Sequence, residues 1–196
     1  GLHNGWMLLS YNGKTTVSSS QMQVRKSTAT DGDFDITEMP LEKNYEGKII
    51  SKLLTDESPK SFWVAEANDN KQWVEIEMLA PGNIYAFQLN FHDQESGIYT
   101  RTEGLRHRYT LEVSEDGENW KTVVDRSKSF EDTPNAYIPL NQPVKAKYVR
   151  YNNIEVPGNN LALSEIRVFG EGLGQKPAKV KGFEISREED RRNISL

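Results

Sequence analysis

The alternation of apolar and polar residues along the chain predicts β-strands rather than helices. Residues 73–78 and 84–91 alternate with a period of two, and each segment is bounded by Gly, Pro, Asn or Asp. Residues 137–140, 148–154 and 165–169 are further strands in the same pattern. No stretch of about ten residues carries the apolar stripe of an amphipathic helix. The pattern predicts an all-β protein of seven or eight strands.

One hairpin is indicated by its turn residues. Residues 109–114 and 120–124 flank Glu115-Asp116-Gly117-Glu118, and Asp-Gly supplies the positive φ angles that a tight hairpin needs. Nearer the start of the chain, residues 14–20 are rich in Thr, Val and Ser, which favours another strand. Residues 21–46 are polar and acidic, and we expect them to form a long loop.

Length, charge and cysteine content exclude several classes of function. A chain of 196 residues forms one large domain, or one domain with a fragment of another. Its 29 acidic residues against 24 basic ones give a net charge of -5, so no global positive field attracts nucleic acid. The absence of Cys excludes thiol catalysis, thiolate metal sites and disulfides. No apolar run approaches the roughly 20 residues of a membrane span, so we expect no membrane insertion.

Two distant segments together carry a family signature. The first is Leu-Thr-Asp-Glu-Ser-Pro-Lys-Ser-Phe-Trp at residues 54–63, and the second is Ala-Leu-Ser-Glu-Ile-Arg-Val-Phe-Gly at residues 162–170. The predicted hairpin and Lys-Tyr-Val-Arg-Tyr at residues 147–151 lie between them. In this order the segments resemble discoidin-like domains, also named factor V/VIII type C domains, and their bacterial branch, the family 32 carbohydrate-binding modules. The resemblance implies a galactose-binding-domain-like jelly-roll β-sandwich over residues 15–170.

The flanking segments differ in composition from the predicted sandwich. Residues 1–14 resemble the junction that follows a catalytic domain in some family 43-like glycoside hydrolases, and we expect a linker from an upstream domain. Residues 171–196 begin with a linker rich in Gly and Pro, and the apolar pattern that follows resembles the start of a fibronectin type III-like module.

The resemblance also implies a structural calcium ion. In the family, a loop of pattern Asp-Gly-Asp-x-x-Thr-x-Trp wraps the ion, and a Glu before the last strand completes the ligands. Trp63 matches the Trp of this pattern. The residues at ligand positions are Asp56, Ser58, Ser61 and Glu165. Calcium prefers oxygen ligands of these kinds.

Two positions depart from the calcium pattern. Glu57 replaces the Gly, and Ser58 replaces the second Asp. Either change lowers the affinity for calcium or alters its coordination. A structural alternative is open, in which Asp56 caps a turn, Ser61 hydrogen-bonds the backbone and Glu165 is an ordinary carboxylate at a strand edge.

Aromatic and planar polar residues on two predicted loops are candidates for contacts with a sugar. A sugar site combines an aromatic face for the pyranose with polar groups for its hydroxyls. The loops are residues 92–107 and the segment after Tyr151. The candidate ligand-binding residues on them are His92, Tyr99, Arg101, Arg106, His107, Asn153 and Asn159. The alternative is that His107 pairs with a neighbouring strand, Tyr99 packs on its loop and the arginines form surface ion pairs.

The four tryptophans are expected to serve packing. Trp63, Trp73 and Trp120 stand at positions that the resemblance assigns to the core or to the hairpin. Trp6 lies outside the predicted sandwich, where we expect it to dock the linker against the sandwich or against a neighbouring domain.

These observations favour a non-catalytic carbohydrate-binding accessory module. Its setting would be a multidomain glycan-degrading protein that is extracellular, periplasmic or on a bacterial cell surface. The alternative is a structural or protein-interaction domain that braces a neighbouring catalytic domain. Lipid-headgroup binding is disfavoured by the acidic balance. No Gly-x-Ser-x-Gly, His-Glu-x-x-His or phosphate-loop motif indicates an enzyme.

Overall fold

The fold consists of strands and turns. The computed structural model describes residues 6–20, 25–30, 33–38, 54–57, 62–92, 105–173, 186–187 and 194–195. No helix occurs within these ranges, and the prediction of an all-β protein is confirmed. Consequently, the same residues contain no helix long and apolar enough to cross a membrane.

Most of the strands belong to one antiparallel sheet. In chain order the described strands are β1 (Met7–Leu8), β2 (Lys14–Val17), β3 (Arg25–Thr30), β4 (Asp33–Glu38), β5 (Trp63–Val64), β6 (Trp73–Phe91), β7 (Arg108–Ser114), β8 (Lys121–Asp125), β9 (Asn135–Glu155), β10 (Ala162–Gly172), β11 (Ser186–Arg187) and β12 (Ile194–Ser195). The main sheet has eight strands, in the order β1-β10-β6-β9-β7-β8, with β2 paired to β6 and β5 to β10. Residues 137–140 and 148–154 both lie in β9, so the prediction of two separate strands there was wrong.

Strand β6 is one long bent strand. It pairs with β9 on both sides of a corner, where the register shifts between Glu77 and Gly82. Leu79, at this corner, is 75% exposed. Residues 73–78 and 84–91 therefore lie in one strand, and the prediction of two separate strands was wrong because pairing with β9 continues across the corner.

The bend brings the two ends of β6 face to face. Phe91 ends the strand, and its ring centroid lies 6.1 Å from that of Tyr151. Tyr151 of β9 in turn pairs with Val74, near the start of β6. A ring separation of about 4.5–7 Å is a packing contact, so the two halves of the strand enclose a shared interior. The fold is a β-sandwich, as the resemblance implied.

Apolar side chains from both layers fill the interior of the sandwich. Trp63, Ile76, Phe87, Leu111 and Val168 are all at most 1% exposed. Burial of each such large side chain stabilises the fold by roughly 1.5–3 kcal/mol. The indole N–H of Trp63 donates a hydrogen bond of 3.1 Å to the carbonyl of Ser19, so the one polar group of this side chain is satisfied. Trp63 serves packing, as expected.

The predicted hairpin is confirmed as β7 and β8. The Oδ1 atom of Asp116 accepts hydrogen bonds from the backbone N–H groups of Glu118 and Asn119, both at 2.8 Å. Gly117 has a φ of 82°, in the left-handed region that glycine tolerates. Hydrogen bonds, above all from Asn119, hold the pKa of Asp116 well below its usual range.

The other three tryptophans pack outside the core. Trp73 and Trp120 are half-buried on the outer face of the sheet, on either side of Arg150. Trp6 stacks on Tyr85, with the two ring centroids 4.9 Å apart. Trp6 therefore lies against the sandwich, which is one of the two positions expected for it.

Two segments carry strands that were not expected. Residues 25–30 and 33–38 pair as β3 and β4 in an antiparallel hairpin, so the prediction of a loop over residues 21–46 was wrong there. The sequence between them is Asp31-Gly32, a pair that two-residue hairpins prefer, and this signal was outweighed by the polar composition. In the predicted N-terminal linker, Met7 and Leu8 pair with β10 as β1.

Candidate functional site

The loops of interest lie at one end of the sandwich. At this end β6 finishes at Phe91, β7 begins at Arg108 and β9 finishes at Glu155. Backbone hydrogen bonds close it, from His92 N–H to the carbonyl of Ala162 and from His107 N–H to that of Glu131, each 3.0 Å long. The loop end comprises residues 62, 92, 105–107, 126–134 and 155–161.

Phe62 and His92 form a stacked aromatic pair at the loop end. Their rings are nearly parallel, at 12°, with centroids 3.8 Å apart. His92 is exposed and Phe62 is half-buried. Because His92 directly follows the last residue of β6 and its backbone is bonded to β10, the sheet fixes where this stacked pair lies.

Arg106 and Glu155 form a planar polar pair at the same end. Nε of Arg106 donates to Oε2 of Glu155 at 3.0 Å, and Nη2 donates to Oε1 at 3.2 Å. Arg108 adds a third hydrogen bond to the same carboxylate, 3.4 Å long. The guanidinium of Arg108 also lies 5.0 Å from the ring centroid of Phe130, which is 77% exposed. This paired geometry is the ion-pair alternative considered for Arg106.

His107 and Asn153 lie in the interior, each 1% exposed. Nδ1 of His107 accepts a hydrogen bond of 3.0 Å from the backbone N–H of Thr133. Asn153 accepts one of 2.9 Å from the hydroxyl of Tyr151 and donates one of 3.0 Å to the carbonyl of Asp69. Both side chains are buried away from a ligand, and their hydrogen bonds to Thr133 and Asp69 support the loops from the interior.

Of the remaining candidates, one is exposed and two lie outside the described residues. Asn159 is exposed on the turn before β10. Asn68 supports that turn, because its Nδ2 donates to the carbonyls of Val156 and Gly158 at 2.6 and 2.9 Å. Tyr99 and Arg101 lie outside the described residues.

Three residues of the loop end escaped the sequence reasoning: Phe62, Phe130 and Glu155. Phe62 directly precedes Trp63, and only Trp63 matches the family pattern. Phe130 is an isolated aromatic residue in a charged segment, a signal that could have been used. Glu155 is an acidic residue at a strand end, and nothing nearby in sequence points to Arg106 as its partner.

A carboxylate cluster lies between the loop at residues 54–57 and β10, made of Asp56, Glu57 and Glu165 together with Arg167. Glu165 is 1% exposed. Its Oε2 accepts a hydrogen bond from Asn90 at 2.9 Å and contacts Nη2 of Arg167 at 2.7 Å. Its Oε1 is buried and has no hydrogen-bond partner within the described part of the chain. Burial raises the pKa of Glu165 above its ordinary value; Arg167 opposes this rise, and Glu57 and Asp56 add to it.

Glu57 and Arg167 are held together by a forked ion pair. Nε of Arg167 lies 3.0 Å from each carboxylate oxygen of Glu57, and its Nη2 lies 2.9 Å from Oε2. The hydrogen bond to Glu57 raises the pKa of Arg167 above its ordinary value. Glu57 has a φ of 59°, in the left-handed region that favours glycine. This conformation agrees with the Gly that the family pattern has at the same position.

The carboxylate cluster offers donors of the kind that calcium binds. Calcium takes roughly six to eight oxygen ligands, and Glu165 Oε1 is a buried carboxylate oxygen with its bonding capacity unused among the described residues. The residues that the structure describes include no group of three or more acidic or His side chains arranged to hold a metal. Ser58 and Ser61 lie outside them. The donor chemistry of Asp56 and Glu165 is of the kind that calcium binds.

Comparison with known families identifies the domain. The model of the family described as F5/8 type C domain matches residues 14–166. The chain belongs to the F5/8 type C family. This F5/8 type C domain has no significant match among curated protein sequences.

Solved carbohydrate-binding modules share the fold of this F5/8 type C domain. Chitosan-binding module 2 of the chitosanase/glucanase from Paenibacillus sp. IK-5, in complex with chitotriose, is 20% identical, with 83% of this chain and 99% of that chain covered and a TM-score of 0.57. The family 32 module of NanJ from C. perfringens, in complex with galactose, is 10% identical, with coverages of 84% and 98% and a TM-score of 0.56. The module CpGH89CBM32-6 from Clostridium perfringens is 16% identical, with coverages of 84% and 99% and a TM-score of 0.52. At these identities the likeness shows the jelly-roll fold.

Proposed function

We propose that this F5/8 type C domain is a non-catalytic carbohydrate-binding module that takes a sugar at its loop end. The observation that carries the proposal is the stacked pair of rings of Phe62 and His92 at the loop end, in which His92 is exposed. Modules of the same fold have been solved with chitotriose and with galactose, which supports a carbohydrate as the ligand class. The proposed setting is a bacterial glycan-degrading protein, secreted or on the cell surface, in which other domains carry the chemistry.

In this proposal, aromatic groups contact the apolar face of the sugar and planar polar groups contact its hydroxyls. The apolar face of a pyranose stacks on the face of the exposed His92 ring that Phe62 does not cover, because C–H groups favour the electron-rich face of a ring. Hydroxyl groups of the sugar hydrogen-bond to Arg106, Glu155 and Asn159, which offer both donors and acceptors. The pairing of Arg106 with Glu155 fixes both planar groups before a ligand arrives, which reduces the entropy lost on binding.

A structural calcium ion is the second part of the proposal. Asp56 and Glu165 would hold it with side-chain oxygens, and Ser58 and Ser61 would supply further ligands. The bound ion would tie the loop that contains Asp56 to β10 and offset the chain entropy of closing that connection. The buried Oε1 of Glu165 supports this role.

A glycan array on the wild-type domain tests the ligand class, and titration calorimetry with the best binder tests the site. Phe62→Ala and His92→Ala are expected to weaken binding by about two- to tenfold, since stacking contributes roughly 0.5–1.5 kcal/mol beyond burial. Tyr137→Ala removes an aromatic side chain that is 56% exposed on β9 and serves as the matched control. Equal binding by all variants would exclude the loop end, and a folded domain that binds no glycan would contradict the function.

A second candidate function is an interaction domain that braces a neighbouring domain without sugar affinity. Two observations favour it. Arg106 and Arg108 each direct part of their hydrogen-bond donors to Glu155. In addition, Met7 and Leu79 are 60% and 75% exposed on the strands at the opposite end of the sandwich. The array decides between the two functions, because only the first requires a glycan signal.

A further inference from the structure

We propose that Arg167 is an internal cation of the carboxylate cluster that competes with calcium for Glu165. It would thereby set the calcium affinity of the site and the stability of the domain without calcium. The inference rests on the calcium site of the proposed function and names a residue that the calcium pattern itself does not contain.

The charges of the cluster are only partly balanced. Asp56, Glu57 and Glu165 bring three carboxylates, and Arg167 brings one guanidinium. Two negative charges are left over, which a divalent cation would match. The guanidinium, however, lies 2.7 Å from one oxygen of Glu165, so a calcium ion on the other oxygen of that carboxylate would feel its repulsion. Repulsion of this kind is strong where side chains are buried, and Glu165 is 1% exposed.

Glu57 fixes the guanidinium in its place. The fork of three contacts between Glu57 and Arg167, at 2.9 to 3.0 Å, leaves the guanidinium little freedom to move away from Glu165. A glycine at position 57 would suit the φ of 59° better but would offer no carboxylate. The residue that departs from the calcium pattern is therefore the residue that anchors the cation.

The ion pair also replaces a structural task of the metal. Glu57 and Arg167 are 110 residues apart in the chain, and their contact joins the loop to β10. Calcium between Asp56 and Glu165 would close nearly the same connection. With Arg167 in place, the domain keeps this closure when calcium is removed.

Calcium titration into metal-free protein tests the proposal. Arg167→Gln is expected to bind calcium at least about tenfold more tightly than the wild type, because the positive charge in contact with Glu165 is gone. Its melting temperature is expected to fall further on addition of a chelator than that of the wild type. Arg126→Gln is the matched control, since it removes the same charge from an exposed pair with Glu131 and should leave both quantities unchanged.

A conservative variant keeps the test decisive if Arg167→Gln does not fold without metal. Arg167→Lys retains the charge but cannot fork across two carboxylates, so its calcium affinity is expected to lie between those of the wild type and the Gln variant. Equal calcium affinity in all three proteins would overturn the competition and leave the calcium site standing. No calcium binding by any of them would overturn both.

Discussion

Arg150 lies over the ring of Trp120, with its guanidinium carbon 3.8 Å from the ring centroid. Its Nη2 also donates to Glu75 at 2.8 Å. The guanidinium of Arg150, on β9, is thus held between the ring of Trp120, next to β8, and the carboxylate of Glu75, on β6. The outer surface of β9 gains stability from this contact, which lies outside the hydrophobic core.

A double-mutant cycle between Arg150→Met and Trp120→Leu is expected to show a coupling of about 1 kcal/mol, typical of a partly buried cation–π contact. Urea denaturation of the four proteins gives the value. The same cycle between Arg150 and Trp73 is the control, because that ring centroid is 5.8 Å away and the coupling should be smaller. Equal couplings would contradict the assignment of the contact to Trp120.

Substitution of two glycines is expected to have unequal effects. Gly117→Ala should cost about 1 kcal/mol, because a φ of 82° is unfavourable for alanine while the nearest atoms, in the Tyr148 ring, leave room for a Cβ. Gly170→Ala should cost more, roughly 3 kcal/mol, because its Cβ would overlap the carbonyl oxygen of Asn83. Chemical denaturation measures the loss of unfolding free energy in each variant. A larger loss for Gly117→Ala than for Gly170→Ala would show that the φ angle constrains these positions more than the steric overlap does.

The stability of the domain is expected to depend on pH through Asp116. Hydrogen bonds, first those from Asn119, depress the pKa of this carboxyl in the folded state. The resulting stability is present above the unfolded pKa of about 3.9 and is lost as the pH falls through the folded pKa. Asp116→Asn removes the charge, so its deficit relative to the wild type should shrink as the solution is acidified below about pH 4.

Thermal melting of the wild type and of Asp116→Asn, from neutral to acid pH, measures the difference in stability between them. Ser114→Ala removes one donor to the Asp116 carboxylate and no charge, so a smaller pH dependence should remain in that variant. A deficit of Asp116→Asn that stays constant with pH would contradict the role assigned to the charge.

Asn153→Asp is expected to destabilise the domain by roughly 3 kcal/mol, because it turns a buried donor into an acceptor. The Nδ2 of Asn153 faces the side-chain oxygen of Asn68 and the carbonyl of Asp69, at 3.2 and 3.0 Å. Urea denaturation measures the loss. Asn159→Asp, on an exposed turn, provides the comparison and should change stability by about 0.5 kcal/mol or less. Equal losses would show that Asn153 does not act from the interior.

The parts of the fold that depend on neighbouring residues could be predicted from sequence. The β7–β8 hairpin follows from Asp116-Gly117 and the alternation on either side. The continuity of β6 across its corner could not be predicted, because it depends on pairing with residues of β9 far along the chain. Alternation alone reports only which face of a strand is apolar.

For the candidate site, residue types could be predicted but not their depth. His107 and Asn153 are of types that bind sugars, yet the same groups satisfy buried backbone and hydroxyl partners at Thr133 and Tyr151. The link between Glu57 and Arg167 spans 110 residues and leaves no local pattern. The sequence singled out Glu165 only through the family resemblance, and its burial is a property of the folded chain.

Strands β6 and β9 run unbroken through both layers of the sandwich, and this has a consequence for how the domain folds. Each layer contains one part of β6 and one part of β9, so opening one layer also disturbs the pairing of the other. Unfolding should therefore be a single cooperative transition rather than the loss of one sheet before the other. Because the strands that pair are distant in sequence, the folding rate should lie in the range of milliseconds to seconds that is typical of β-sandwiches.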